Sequence, residues 1–313
     1  MLQINEIVKR YAQQTALDHV SMMVPSGCIF GLLGPNGAGK TSLIRIINQI
    51  TAPDSGSIVL DGEPLNQIHV NKIGYLPEER GLYKKMQVGE QVVYFARLKG
   101  LSRIDAEKKS KYWFEKFEMQ SWWEKKVEDL SKGMQQKVQF ISTILHDPDL
   151  LILDEPFSGF DPINAEMVKN EIIDLHEQGK TIIFSTHRLE NIEEFVTHIA
   201  LINKSKKILD GETRSIINQY RNDTYEVSFT GNGMTRIDWA SQTRFSLPKL
   251  TDMNSHHTAV IKLQGGSLNE LLGTLLPVVD ILGVKEVVPT VSDIFIHSVK
   301  AAEAVEEPET VVA

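Results

Sequence analysis

The stretch Gly34-Pro35-Asn36-Gly37-Ala38-Gly39-Lys40-Thr41 follows the pattern G-x-x-x-x-G-K-[ST]. Glycines at these positions let successive backbone N–H groups converge on phosphate oxygens, and a helix opening behind them adds the positive end of its dipole. The pattern requires a strand before it and a helix after it. Both are expected here, because Ile29 to Leu33 is a continuous apolar run and Leu43, Ile44 and Ile47 follow at helical spacing. Lys40 is placed to reach the β/γ-phosphates and Thr41 to offer its hydroxyl oxygen to Mg²⁺, with Ser42 carrying the loop into the helix. A second run, Leu150-Leu-Ile-Leu153-Asp154-Glu155, is an apolar strand ending in two carboxylates. There Asp154 can hold a water on Mg²⁺ and Glu155 can polarise an attacking water. His187 ends a further apolar strand in Phe184-Ser-Thr-His187, where a lone histidine is more often a solvated cap, so position alone assigns it no role.

Such groups must be delivered to one place by the elements that carry them. Leu2 to Val8 and Leu17 to Val24 read as strands closed by the turn Pro25-Ser26-Gly27. Cys28 to Leu33, Ile58 to Leu60, Ile73 to Leu76, Leu150 to Leu153, Thr181 to Ser185 and Ile199 to Ile202 are short apolar runs. Runs of that kind fit strands buried on both faces. Strands alternating with helical patterns predict an α/β fold with a mostly parallel sheet, preceded by an antiparallel β part. From Val88 to His146 the period is helical, with Ser102 and Asp105 opening a second helix, so this stretch is expected as an inserted helical lobe.

Near Tyr220 the pattern restarts, with strands expected at Tyr225 to Phe229, Thr258 to Leu263 and Val284 to Val288. Ser267-Leu-Asn-Glu270 is a capping box, and Leu268, Leu271, Leu272 and Leu275 share one helical face behind it. Val291, Ile294, Phe295 and Val299 mark a second helix. The expected organisation is therefore a domain over 1–218, a small α+β domain over 219–300, and an acidic disordered tail over 301–313.

The chain has 313 residues and a formal charge of −8, which argues against a basic nucleic-acid-binding surface. Glu303, Glu306, Glu307 and Glu309 concentrate part of that charge at the end of the chain. Cys28 is the only cysteine, so no intrachain disulfide can form, as suits a reducing compartment. The opening Met1-Leu-Gln-Ile-Asn-Glu6 offers no signal peptide, and no run approaches the ~18 apolar residues of a membrane-spanning helix.

Between the phosphate loop and the acidic strand lies Leu130-Ser131-Lys132-Gly133-Met134-Gln135-Gln136-Lys137-Val138, which resembles the signature sequence of the ABC transporter ATPases. The resemblance covers about residues 1 to 215. It implies a P-loop NTPase fold, ATP and Mg²⁺ as ligands, and hydrolysis with Glu155 as base and His187 on the γ-phosphate. It further implies that adenine stacks on Tyr11, that Glu78 stands at the coupling position beside the metal, and that Asp161 in Ser158-Gly-Phe-Asp161 contacts an opposing subunit. Lys40 and Ser131 lie 91 residues apart on different lobes, and in the family they meet only across a dimer. Ser131 and Gly133 are thus expected to complete the site of a second copy or of a paralogous ATPase.

Three positions depart from the family: Lys132 replaces Gly, Met134 replaces Gln, and Glu78 replaces Gln. Tyr75-Leu-Pro-Glu-Glu-Arg-Gly-Leu-Tyr83 and the extra C-terminal module are similar to a prokaryotic export-type branch. The resemblance implies an ATPase subunit lying peripherally on the cytoplasmic face of the membrane, driving a separate permease, with no nucleic acid expected as partner. Its rival is a non-transport ABC ATPase acting on nucleic acid or the ribosome. Repair members insert long coiled coils where this chain has 91 residues without heptads, and translation members carry two ATPase halves.

Overall fold

A computed structural model describes the chain except residues 80, 191, 238, 240, 241, 253–255 and 307–313. The first antiparallel pair is β1 (Leu2–Tyr11) and β2 (Gln14–Val24), pairing from Leu2 against Val24 to Tyr11 against Gln14 with register shifts between Ile4 and Arg10. Buried Leu2, Ile4 and Ile7 on β1 and Leu17, Val20 and Met22 on β2 supply its apolar face. The wholly buried β3 (Ile29–Leu33) then leads into α1 (Lys40–Ile47). After it, β4 (Ser55–Leu60) and the short β5 (Glu63–Pro64) complete a four-stranded sheet of order β2-β1-β4-β5.

The remaining strands of this part build on β3. They are β6 (Ile73–Leu76), β7 (Leu150–Asp154), β8 (Thr181–Thr186), β9 (His198–Asn203) and β10 (Lys206–Glu212). Their order is β10-β9-β3-β8-β7-β6, with every pair parallel except the β9–β10 hairpin. Continuous burial along β3, β7 and β8 is what a parallel sheet covered on both faces requires. Strand β10, with exposed Lys206 at its start, has no such run and escapes an apolar-pattern reading. In open parallel sheets ligands bind beyond the C-terminal strand ends. Here β3, β6, β7 and β8 deliver Gly34, Pro77, Asp154 and Thr186 to that one edge.

Between β6 and β7 stand the α-helices α2 (Val88–Leu98), α3 (Arg103–Lys116) and α4 (Lys132–Ile144). Ser102 caps α3 by accepting from Asp105 N at 3.1 Å, and Ser131 caps α4 by accepting from Met134 N at 3.3 Å. Aromatic contacts fill the lobe, with Phe114 against Trp123 at 5.1 Å and Phe117 against Phe140 at 6.0 Å between ring centroids. Helix α5 (Pro162–Glu177) links β7 to β8, and α6 (Thr213–Gln219) follows β10. Among the described residues no helix is long and apolar enough to cross a membrane.

The chain divides into two compact units, Met1–Thr213 with the stretch from Phe295 onward, and Arg214–Ile294. The second unit carries β11 (Thr224–Thr230), β12 (Phe245–Asp252), β13 (His257–Leu263) and β14 (Asp280–Glu286) in the antiparallel order β12-β13-β11-β14. The expected capping box is present, because Ser267 and Glu270 pair reciprocally at the start of α7 (Leu268–Leu275). Val227, Phe229, Ala259, Ile261, Leu271 and Leu275 form its core.

Three expectations need correction. Strand β14 begins four residues before Val284, since Asp280 and Ile281 already pair with Thr230 and Phe229. Strand β12 was not expected because Pro248 interrupts it; it lies at the sheet edge, with a register shift between Ser246 and Lys249 where proline is tolerated. The last helix, α8 (Val291–Glu306), runs through the first six residues of the expected tail, because Ala301, Ala302 and Ala304 favour helix. Residues 307–313 of that tail lie outside the described residues.

Candidate functional site

The loop from β3 to α1 bends through left-handed backbone at Gly34, Gly37 and Gly39, with φ of 149°, 79° and 114°. At two of these a side chain has no room. A Cβ on Gly34 would lie 2.1 Å from Ile202 O, and one on Gly39 would lie 2.3 Å from Ala16 O. Glycine is thus required by close approach as well as by φ. Lys40 follows at the head of α1, only 6% exposed, and its Nζ donates to Gly34 O at 2.7 Å and Pro35 O at 3.1 Å. Burial pulls the Lys40 ammonium below its ordinary pKa, opposed by the carboxylates of Glu155, Asp154 and Glu78.

Across the cleft, Thr41 Oγ1 lies 3.3 Å from Asp154 Oδ2, joining the loop to the end of β7. Asp154 is 1% exposed, and burial raises its pKa; hydrogen bonds from Ser185 and Thr41 oppose that rise, and the Glu155 charge adds to it. The next residue, Glu155, has φ of 50°, a left-handed backbone that turns its side chain from the strand line. Its N–H still donates to Ser185 O at 3.0 Å, so the parallel ladder reaches one residue past β7.

The end of β8 grips both carboxylates in sequence order. Ser185 Oγ donates to Asp154 Oδ1, and Thr186 Oγ1 donates to Glu155 Oε2 at 3.1 Å. His187 donates its backbone N–H to Glu155 Oε1 at 2.8 Å, and its Nδ1 lies 2.6 Å from the same oxygen. Sequence reasoning singled out His187 and passed over Ser185 and Thr186. The available signal was register: strands paired Asp154 against Ser185 must bring consecutive residues of one end onto consecutive residues of the other.

A cleft of about 360 Å³ is lined by Tyr11, Asn36, Gly37, Ala38, Gly39, Lys40, Thr41, Ser42, Glu78, Asp154 and Glu155. Of the residues expected to form one site, these meet. Tyr11 stands at the mouth, 43% exposed, with Lys9 Nζ 5.4 Å from its ring centroid. Gly34 and Pro35 contribute carbonyls to Lys40, and His187 joins through Glu155. Ser131, Gly133 and Asp161 do not line the cleft. Ser131 caps α4, a Cβ on Gly133 would sit 3.8 Å from Gly159 O, and Asp161 caps α5 by accepting from Asn164 N at 3.0 Å. Lys132 and Met134 leave the α4 cap in place, because the bond Ser131 accepts comes from a backbone N–H.

Glu78 also borders a neighbouring cleft with Thr41, Arg45, Tyr75, Glu79 and Asp154. One further step along the same segment, Tyr75, Pro77 and Gly81 line a cleft of about 410 Å³ against Phe95, Leu98, Gln139 and His146 of the helical lobe. Gln139 of α4 secures the segment by donating Nε2 to Pro77 O at 3.0 Å. Residues 75–79 therefore border both the nucleotide-type cleft and the groove between sheet and lobe.

A family model described as ABC transporter matches residues 17–158. The uncharacterized ABC transporter ATP-binding protein YhaQ of Bacillus subtilis (strain 168) is 48% identical over 216 residues, covering 69% of this chain and 72% of that one. The Nod factor export ATP-binding protein I of Cupriavidus metallidurans is 34% identical over 220 residues, covering 69% and 73%. Among solved structures, an ATP-binding subunit of an ABC transporter superposes with a TM-score of 0.65 at 27% identity, over 70% of this chain and 93% of that one.

Proposed function

Because this chain belongs to the ABC transporter family as an ATP-binding subunit and ATPase, we propose that its cleft hydrolyses MgATP to drive a separate membrane permease in the export direction. One observation carries the assignment of the site: Thr41 at the head of α1 and Asp154 at the end of β7 meet at 3.3 Å, with Lys40 and Glu155 beside them. Phosphate-binding and water-activating groups thereby share one cleft at the C-terminal strand edge.

In this reading the N–H groups of residues 36–42 and the Lys40 ammonium hold the β- and γ-phosphates, and Tyr11 stacks on adenine. Thr41, Asp154 and Glu78 present the hard oxygen donors that suit Mg²⁺, which keeps few protein ligands and takes the rest from phosphate and water. When bound, the ion neutralises charge on the β/γ-oxygens. Glu155 accepts the proton of a water whose oxygen attacks the γ-phosphorus, while the bond to the β–γ bridging oxygen breaks. His187 orients that carboxylate through Nδ1 and contacts the γ-phosphate as the nucleotide enters.

Ser131, Gly133 and Asp161 serve a second copy, or a paralogous ATPase, closing over the nucleotide. Their placement at helix starts outside the chain's own cleft supports this. Segment 75–79, bordering both clefts, is the route by which nucleotide state reaches the permease. Export as the direction is supported by the name of the Nod factor export relative; action at the cytoplasmic membrane face belongs to the same reading.

The test is to purify the tagged chain from detergent-solubilised membranes and assay it with what accompanies it. A polytopic membrane protein whose presence raises ATP turnover supports the reading. Co-purifying RNA or ribosomal protein, with turnover stimulated by RNA, would replace it with the non-transport alternative.

A further inference from the structure

We infer that Thr186 is a positioning residue for hydrolysis: its hydroxyl keeps the Glu155 carboxylate oriented when His187 turns toward phosphate. The inference rests on the reading of Glu155 as the base. Thr186 is the last residue of β8 and only 4% exposed. Its Oγ1 lies 3.1 Å from Glu155 Oε2 and accepts from Arg188 N at 3.0 Å. A hydroxyl has one hydrogen, and the Arg188 N–H occupies a lone pair, so that hydrogen is directed at the carboxylate.

The two oxygens of Glu155 are therefore held by different residues. Oε1 belongs to His187, through its backbone N–H and its ring, and Oε2 belongs to Thr186. A ring that moves to a phosphate releases its share of Oε1. The contacts that stay are the His187 N–H and the Thr186 hydroxyl. The last torsion of a glutamate is soft, so two fixed donors are needed to hold the plane of the carboxylate. Room to turn exists, because Glu155 also borders a second cavity of about 230 Å³, lined by Thr186, Phe157, Phe184 and Phe195. Without the hydroxyl the carboxylate can rotate, and one buried oxygen loses its donor. Thr186 does not line the phosphate cleft, so nucleotide binding has no direct dependence on it.

The experiment measures kcat and KM for ATP on the full-length chain carrying Thr186→Val, Thr186→Ala, Thr186→Ser, Glu155→Gln, or Thr186→Val with Glu155→Gln. Thr186→Val and Thr186→Ala, which both lack the hydroxyl, are expected to lower kcat about tenfold with KM little changed. Thr186→Ser should retain most of the turnover, and the double variant should turn over no more slowly than Glu155→Gln alone. Nucleotide titration and a melting curve on each variant separate positioning from folding; should Thr186→Val fail to fold, Thr186→Ala and Thr186→Ser decide. Wild-type kcat in a folded variant without the hydroxyl overturns the proposal, as does Thr186→Ser impaired as much as Thr186→Ala, or a KM that rises as kcat falls. If Glu155→Gln is inactive while Thr186→Val is not, only the positioning role fails. If Glu155→Gln keeps wild-type turnover, the base assignment fails and takes the inference with it.

Discussion

Nδ1 of His187 lies 2.6 Å from Oε1 of Glu155, and the backbone N–H of the same histidine meets that oxygen at 2.8 Å. Two adjacent strand ends thus hold Glu155 and His187 as one unit. Glu155→Gln preserves the shape of this unit and removes the basic oxygen. Turnover should fall by about 10²–10⁴-fold while ATP binding persists. The variant should then accumulate as an ATP-bound dimer on a sizing column. A monomer turning over at the wild-type rate would refute the role.

Lys40→Ala removes the one lysine that lines the phosphate cleft, where Glu78, Asp154 and Glu155 are also gathered. Its Nζ bridges Gly34 O and Pro35 O, so the loop loses an internal tie along with its charge. Both ATP affinity and hydrolysis should collapse. Titration with ATP checks this directly, and equal binding by variant and wild type contradicts the assignment.

The phosphate loop and the Asp154-Glu155 end were legible because their chemistry is contiguous in sequence. Gly34, Gly39, Lys40 and Thr41 announce themselves within eight residues. Ser185 and Thr186 were not legible, because their partners lie 31 residues away and only the β7–β8 register joins them. Strands β3, β7 and β8 stood out as apolar runs, whereas β10 and β12 are edge strands whose runs are broken by lysines and, in β12, by a proline. Ser131 and Asp161 engage in local capping bonds at the starts of α4 and α5, so nothing within one chain brings them to the cleft.

Glu78→Gln should leave ATP binding intact and change permease-stimulated turnover more than basal turnover. Glu78 lines the phosphate cleft, yet its segment continues to the groove against the helical lobe. At about 6 Å and an effective dielectric near 20, its charge repels a γ-phosphate by roughly 3 kcal/mol per unit charge. Removing that charge should therefore tighten ATP if it changes affinity. A loss of binding as severe as that of Lys40→Ala would make Glu78 a primary phosphate-site residue instead.

His146, on the groove between sheet and lobe, should make the larger unit sensitive to acid. Burial pulls its pKa down to about 4, aided by the Lys99 and Lys109 charges and opposed by the hydrogen bond to Ile73 O and by Asp147. In the unfolded chain the group titrates near its ordinary value of 6.5. Between those two values the unfolded chain binds the extra proton, so stability is lost as pH falls from about 6.5 toward 4. His146→Gln, which can still donate to Ile73 O, should flatten that part of the profile. Thermal midpoints across the window check it; parallel curves for variant and wild type would show that His146 titrates normally.

A chain ending after Tyr220 should still bind MgATP, because every residue lining the phosphate cleft, from Tyr11 to Glu155, precedes that point. The hydrogen bonds that hold those residues come from the same stretch, from Ser185, Thr186 and His187 at the end of β8 and from Ser205 N–H, which donates to Ala38 O at 3.2 Å. Truncation nevertheless removes more than an appendage. The part of α8 from Phe295 to Glu306 groups with the ATPase unit and not with Arg214–Ile294. The shortened chain should therefore melt at a lower temperature than the full one while titrating with nucleotide at similar affinity. The second unit has its own core around Phe229, Ile261 and Leu271. We propose that this unit stabilises the ATPase dimer or adjusts its contact with the permease. Weaker ATP-driven dimerisation of the truncated chain on a sizing column is the expected result. A soluble, folded fragment that no longer binds nucleotide would show that the ATPase unit extends beyond Tyr220 in a way that reaches the cleft.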